Sequence, residues 1–260
     1  MTTTHGLASN RPYAAARDVS RGIPVVPEQI LAAQLVMIAG LVLAYAIAKS
    51  MHVLGGHDQL LGLNFLFDLD EERNLPSTYS AVAILAAACL LVLTGGLYRM
   101  QAIRGAWSWF FLASVFLFLA VDESFSLHEK LALPIRDLLQ NDRPGHLNWV
   151  LGGFTFLAVV AAFSLRFVFR LDRRPRWLML GAGFLFVSGA LGVEMLGGLR
   201  LQERVGSLAN PDPIYFLAVA IEESLEMLGI ALFNYALLDH LRARFDQVVF
   251  RFRGSPAERL

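Results

Sequence analysis

Long apolar runs, separated by shorter polar or basic connections, dominate the chain. Six of them, residues 30–48, 79–98, 107–128, 147–169, 177–198 and 214–238, come close to or exceed the roughly 20 helical residues that cross a bilayer core of about 30 Å. None shows the two-residue alternation over about 10 residues that marks a barrel strand. The pattern predicts an all-α, polytopic membrane helical bundle with six transmembrane helices. Three of the runs carry acids yet stay apolar around them.

The connections refine this picture. Arg11, Arg17, Arg21, Arg99, Arg104, Arg166, Arg170, Arg173, Arg174, Arg176, Arg242, Arg244, Arg251, Arg253 and Arg259 fall on one side of the predicted spans. Lys49, Arg73, Lys130, Arg136, Arg143, Arg200 and Arg204 fall on the other. Cytoplasmic connections are enriched in Lys and Arg, so both termini are expected in the cytoplasm. The four tryptophans, Trp107, Trp109, Trp149 and Trp177, stand at predicted span ends, where an aromatic belt belongs. Residues 1–28 then form a polar cytoplasmic segment, residues 29–240 the transmembrane domain, and residues 241–260 a basic amphipathic cytoplasmic tail. The first apolar run starts too far from Met1 for a cleaved signal peptide and reads as a retained helix.

Composition supports lipid as the solvent: 56% of residues are hydrophobic and 17% charged, against about a quarter charged in soluble domains. The net charge of zero gives no general attraction to nucleic acid. The single cysteine, Cys89, excludes an intrachain disulfide or a CxxC metal site. The partners expected are membrane lipids, with room for a homo-oligomer or a membrane partner. The location expected is a bacterial inner membrane.

Chemistry enters with the acids in or beside the spans: Asp122, Glu123, Glu129, Glu194, Glu222, Glu223 and Glu226. An acid at the bilayer centre costs about 2.5–3.5 kcal/mol even on lenient insertion scales. On a helix, Asp122, Ser126 and Glu129 share one stripe, and so do Glu222, Glu226 and Gly229. Glu194 lies in line with Gly183, Ala190 and Gly197, small residues that permit close helix contact in membranes. At about 1.5 Å per residue, three helices bring carboxylates into the outer half of the bilayer, with His128 and Glu129 near its mouth. Glu123 and Glu223 fall off these stripes and are expected to be neutral ties between helices.

The runs V-D-E-S-F-S-L-H-E-K (121–130), G-A-L-G-V-E-M-L-G-G (189–198), I-E-E-S-L-E-M-L-G-I (221–230) and F-D-L-D-E-E-R-N-L-P-S (67–77) together resemble a family of uncharacterised bacterial multi-pass membrane proteins. The resemblance spans residues 68–238 and implies no named activity. Glu222 and Glu223 are also weakly similar to the E-E pair of glutamate-type intramembrane proteases, but Glu226 and Met227 depart from that motif.

The expectation is an outward-opening, acid-lined pocket that binds a cation, with Asp122, His128, Glu129, Glu194, Glu222 and Glu226 as metal ligands. Carboxylates with one histidine suit iron, manganese or zinc, and Glu222, Glu226 and Asp122 are the candidate catalytic groups. A di-iron bundle would carry E-x-x-H units, and none occurs. The alternatives are a proton- or cation-coupled transporter and a structural acid network. The acids of residues 68–72 loosely suit calcium, although a solvated loop explains them. N-L-P-S at 74–77 signals entry to the second long helix.

Overall fold

A computed structural model describes residues 24–55, 62–127, 130, 145–193, 195, 213–245 and 247–249. Their regular secondary structure is helical, without strands among them. The helices are α1 (Pro27–Gly55), the short α2 (Leu63–Leu66), α3 (Leu75–Met100), α4 (Ala106–Phe125), α5 (Gly145–Val168), α6 (Arg173–Val187) and α7 (Pro213–Arg244). A π-helical segment, Ser188–Val193, continues α6.

Each expected apolar run overlaps one long helix, although the third outlasts α4 and the fifth runs on through the π segment into residues outside those described. Among the described residues, four stretches are long and apolar enough to cross a membrane: Pro27–Met51, Leu75–Met100, Ala106–Phe125 and Arg173–Val193. The apolar part of α5, Gly152–Val168, is shorter. Helix α7 has 32 residues, but Glu222, Glu223, Glu226 and Asn234 dilute its hydropathy.

Contacts fix the helix directions. Tyr98 Oη lies 2.8 Å from His240 Nε2. The Trp109 ring stands 5.3 Å from the His240 ring and 4.8 Å from that of Phe167. Arg174 and Glu28 reach Asp239 and Arg242. The starts of α1, α4 and α6 therefore share one end of the bundle with the finishes of α3, α5 and α7. The six long helices alternate in direction, and the arginine-rich connections lie at this shared end.

Helix α7 is the centre. It packs against α1, α3, α6 and the π segment and contributes to all three apolar clusters: Phe233 and Leu237 with Leu91 and Trp109, Val219 and Met227 with Ile38 and Tyr45, and Ile230 with Ala83 and Ala120. A helix covered on all sides is apolar all round rather than striped, which its inner half satisfies. The buried exceptions are Asn234, Asp239 and His240; Asn234 donates from Nδ2 to the Ala83 carbonyl at 3.1 Å, tying α7 to α3.

Several expectations are corrected. Helix α4 stops at Phe125, and Ser126 adopts a left-handed conformation with φ 49°. The helical stripe projected from Asp122 through Ser126 to Glu129 is therefore broken after its first member. Trp109 is fully buried among aromatic rings, so its edge-on packing outweighs an interfacial role, while Trp107 and Trp177 are exposed as a belt requires. Gly183 makes no close helix contact: a Cβ there would meet nothing within 4 Å. Residues 128, 129, 149 (side chain), 194 and 250–260 lie outside the described residues, and with them the expectations for His128, Glu129, Glu194, Trp149 and most of the tail.

The N-L-P-S signal is borne out by a capping box: Ser77 N–H donates to Asn74 Oδ1 and the Asn74 N–H to Ser77 Oγ. Asn74 Nδ2 also donates to the carbonyls of Phe65 and Asp68, at 3.1 and 2.5 Å. Replacing Asn74 with alanine is expected to lower stability by about 1–2 kcal/mol, read as the midpoint of unfolding in mixed micelles.

Candidate functional site

The end of the bundle opposite the arginines is acidic and is strapped by residues 68–74. Lys49 of α1 pairs with Asp68 at 2.5 Å. The Tyr215 hydroxyl at the start of α7 donates to both Asp70 carboxylate oxygens, at 2.9 and 3.0 Å. The buried Ser126 hydroxyl, beyond α4, donates to Glu72. This segment is a polar clasp across α1, α4 and α7, not the free solvated loop its composition suggested. Asp70 keeps an exposed edge, yet desolvation by the bundle end pushes its carboxyl above the ordinary range, and the Tyr215 hydrogen bond pulls it the other way.

Beneath the clasp, Asp122 and Glu123 of α4 and Glu222, Glu223 and Glu226 of α7 are all half-buried. Glu223 lies within electrostatic reach of Glu123, Glu222, Asp70 and Glu72. The grouping thus includes Glu123 and Glu223, which helical stripes alone set aside, and draws in Asp70 and Glu72 from the clasp. The signal that could have found them is density: two adjacent-acid pairs, 122–123 and 222–223, and an acidic loop, all in the predicted outer half.

The stripe through Glu222, Glu226 and Gly229 does face one neighbour. A Cβ at Gly189, in the π segment, would stand 2.7 Å from the Glu222 carbonyl oxygen and 2.8 Å from Glu226 Cγ. A Cβ at Gly229 would stand 2.7 Å from Phe186 N and 2.9 Å from the Ala182 carbonyl oxygen. Two glycines, one on each partner, therefore allow backbone contact between α6 with its π extension and α7. π turns inside α-helices recur at functional sites, because the extra residue re-aims the side chains beyond it. Glu194 comes directly after this one in sequence.

Among the described residues, no three of His, Cys, Asp and Glu converge as a metal site. Of the six proposed ligands, Asp122, Glu222 and Glu226 are described. His128, Glu129 and Glu194 lie outside the described residues.

Fold and site define a class: a protein whose described residues form an all-helical bundle, four of their helices long and apolar enough to cross a membrane, with carboxylates gathered at one end. Within that class the chain belongs to a family described as a domain of unknown function, DUF8692, which matches residues 30–241. No curated protein and no solved structure matches the chain. The comparisons lend no support to the likeness to intramembrane proteases.

Proposed function

We propose that this protein is a six-helix, multi-pass membrane protein of a bacterial inner membrane, with both termini in the cytoplasm, whose acid-lined pocket opens outward and binds a divalent cation. Asp122, Glu222 and Glu226 are its candidate catalytic groups, and with His128, Glu129 and Glu194 they form the proposed ligand set for iron, manganese or zinc. The reaction class is metal-assisted hydrolysis or oxidation at the outer leaflet, in which the ion polarises the substrate or activates water.

One observation carries this reading. Gly189 lets the π segment lie directly on Glu222 and Glu226, and the next acid in the chain after that segment is Glu194. Helix alternation supports the orientation, since the arginines collect at the end away from the acids and cationic connections favour the cytoplasm.

The carrier alternative needs an inner half that opens. Here the polar side chains of α7 inward from Glu226 are used in packing: Asn234 donates to Ala83 and Tyr235 accepts from Arg174 at 3.1 Å. That arrangement favours a fixed site with access from one side.

Metal analysis of protein purified gently without chelators, beside a Glu222→Gln/Glu226→Gln variant, tests the reading. The expected result is a stoichiometric transition metal in the native protein and its loss in a variant that keeps its helical content. Native protein without metal would sink the metal-site reading.

A further inference from the structure

A cavity of about 190 Å³ lies between α4, α5, α6 and α7. Its lining, which includes Leu119, Leu157, Gly183, Ala190 and Ile230, is wholly apolar. Helix α5 forms one wall but otherwise packs only sparsely against α4 and α6, so the cavity is open on one side rather than sealed.

Its position matters more than its size. Leu119 is three residues from Asp122 on α4, and Gly229, also in the lining, is three residues from Glu226 on α7. At about 1.5 Å per residue, each offset is about 4–5 Å along the helix. Ala190 and Leu191 adjoin Gly189, on which Glu226 rests. The apolar space therefore begins about one helical turn below the half-buried acids, on the same helices. An amphiphile standing in it would place its polar end among carboxylates.

The physics of the surroundings selects the occupant. An apolar cavity of about 150 Å³ in a soluble protein stays dry and accepts benzene or xenon, so water does not fill this one. An empty void forfeits the dispersion contacts of its lining. With α5 loosely attached among bilayer-length helices, the material at hand to restore those contacts is lipid hydrocarbon. A chain gains no hydrophobic free energy in moving from lipid to an apolar cavity. Filling the void supplies the attraction, and the headgroup supplies the selection. Clustered carboxylates favour an ammonium-bearing headgroup over an anionic one.

We propose that the cavity between α4, α5, α6 and α7 holds part of one acyl chain of a bilayer phospholipid, with its ammonium-bearing headgroup at the level of Asp122, Glu222 and Glu226. The chain placement stands on the cavity alone, and the headgroup placement rests on the acid site proposed above.

The test uses the full-length protein in phosphatidylcholine nanodiscs containing a small fraction of phosphatidylethanolamine with a diazirine on one acyl chain. After illumination, labelled positions are mapped by mass spectrometry. Label is expected on Leu119, Leu157 and Ala190. A side chain at Gly183 starts in open space, so Gly183→Phe should fill the cavity and reduce that label about tenfold, equivalent to about 1.4 kcal/mol. Label at the outward-facing Leu43 and Val92 should be unchanged. Leu157→Trp fills the same space from α5 and guards against a folding defect in the first variant. Label spread evenly over outward-facing positions, or indifferent to both variants, would overturn the proposal, and so would displacement by an unlabelled polyprenyl alcohol but not by phospholipid. Cavity label that persists in protein found to lack metal leaves the chain placement standing while the metal reading fails. Metal without cavity label does the reverse. A phosphatidylglycerol probe labelling as well as the ethanolamine one would overturn the headgroup assignment.

Discussion

Gly229→Leu protein should unfold with its stability lowered by about 3 kcal/mol, the upper part of the usual range for overpacking a core. The first added carbon would lie 2.7 Å from Phe186 N and 2.9 Å from the Ala182 carbonyl oxygen. Those atoms are backbone and cannot rotate away, so α6 and α7 must separate. Separation also opens the seam in which Met179, Ala182, Phe233 and Leu237 are buried. Gly183→Leu, on the facing helix α6, is the control, because a Cβ there meets nothing within 4 Å. Equal loss in both would show that the cost is helix propensity or bulk in general and not this crossing. Gly189→Ala strikes the same pair of helices one contact further out, against the Glu222 carbonyl oxygen and Glu226 Cγ. It should therefore weaken any ion held by these two residues more than it lowers stability. Unfolding midpoints and metal content, measured on the same preparations, separate the two effects.

The helices were legible because each is written as one long apolar run, and the α3 start because Asn74 and Ser77 form a local motif. What the sequence hid depends on contacts between distant segments. A helical projection from Asp122 assumes that α4 continues, and nothing in S-F-S-L-H-E announces the left-handed Ser126. The stripe drawn through Gly183, Ala190 and Glu194 assumes 3.6 residues per turn, whereas the π segment adds a residue and shifts the contact to Gly189. Gly183 and Ala190 instead line the cavity. The acidic loop looked solvated because its partners, Lys49, Ser126 and Tyr215, are spread along the chain. Trp109 resembled Trp107 in position, but only one of two tryptophans two residues apart can point outward, and its neighbours decide which.

The opposite end of the bundle yields the second large effect. Asp239 is buried, 5% exposed, and is held by Arg174 at 2.9 Å and Arg242 at 2.7 Å. Arg242 also pairs with Glu28 at 2.8 Å, so a single carboxylate links α6 and α7, and through Arg242 also α1. Replacing both arginines with methionine keeps most of their length but leaves the Asp239 charge without either cation. Breaking a fully buried pair costs about 3–5 kcal/mol. Both guanidinium groups are about half or more exposed, which screens them, so the expected loss falls below that range. The cost falls on the stranded carboxylate rather than on the lost attraction. Adding Asp239→Asn to the double variant should therefore recover most of it, although Asp239→Asn alone destabilises the otherwise native chain. Such a sign reversal in a mutant cycle is the signature of a buried charge that needs its partners. Two arginine replacements that cost less than about 0.5 kcal/mol, the scale of exposed ion pairs, would show that this end is held by the Trp109, Tyr98 and His240 packing instead.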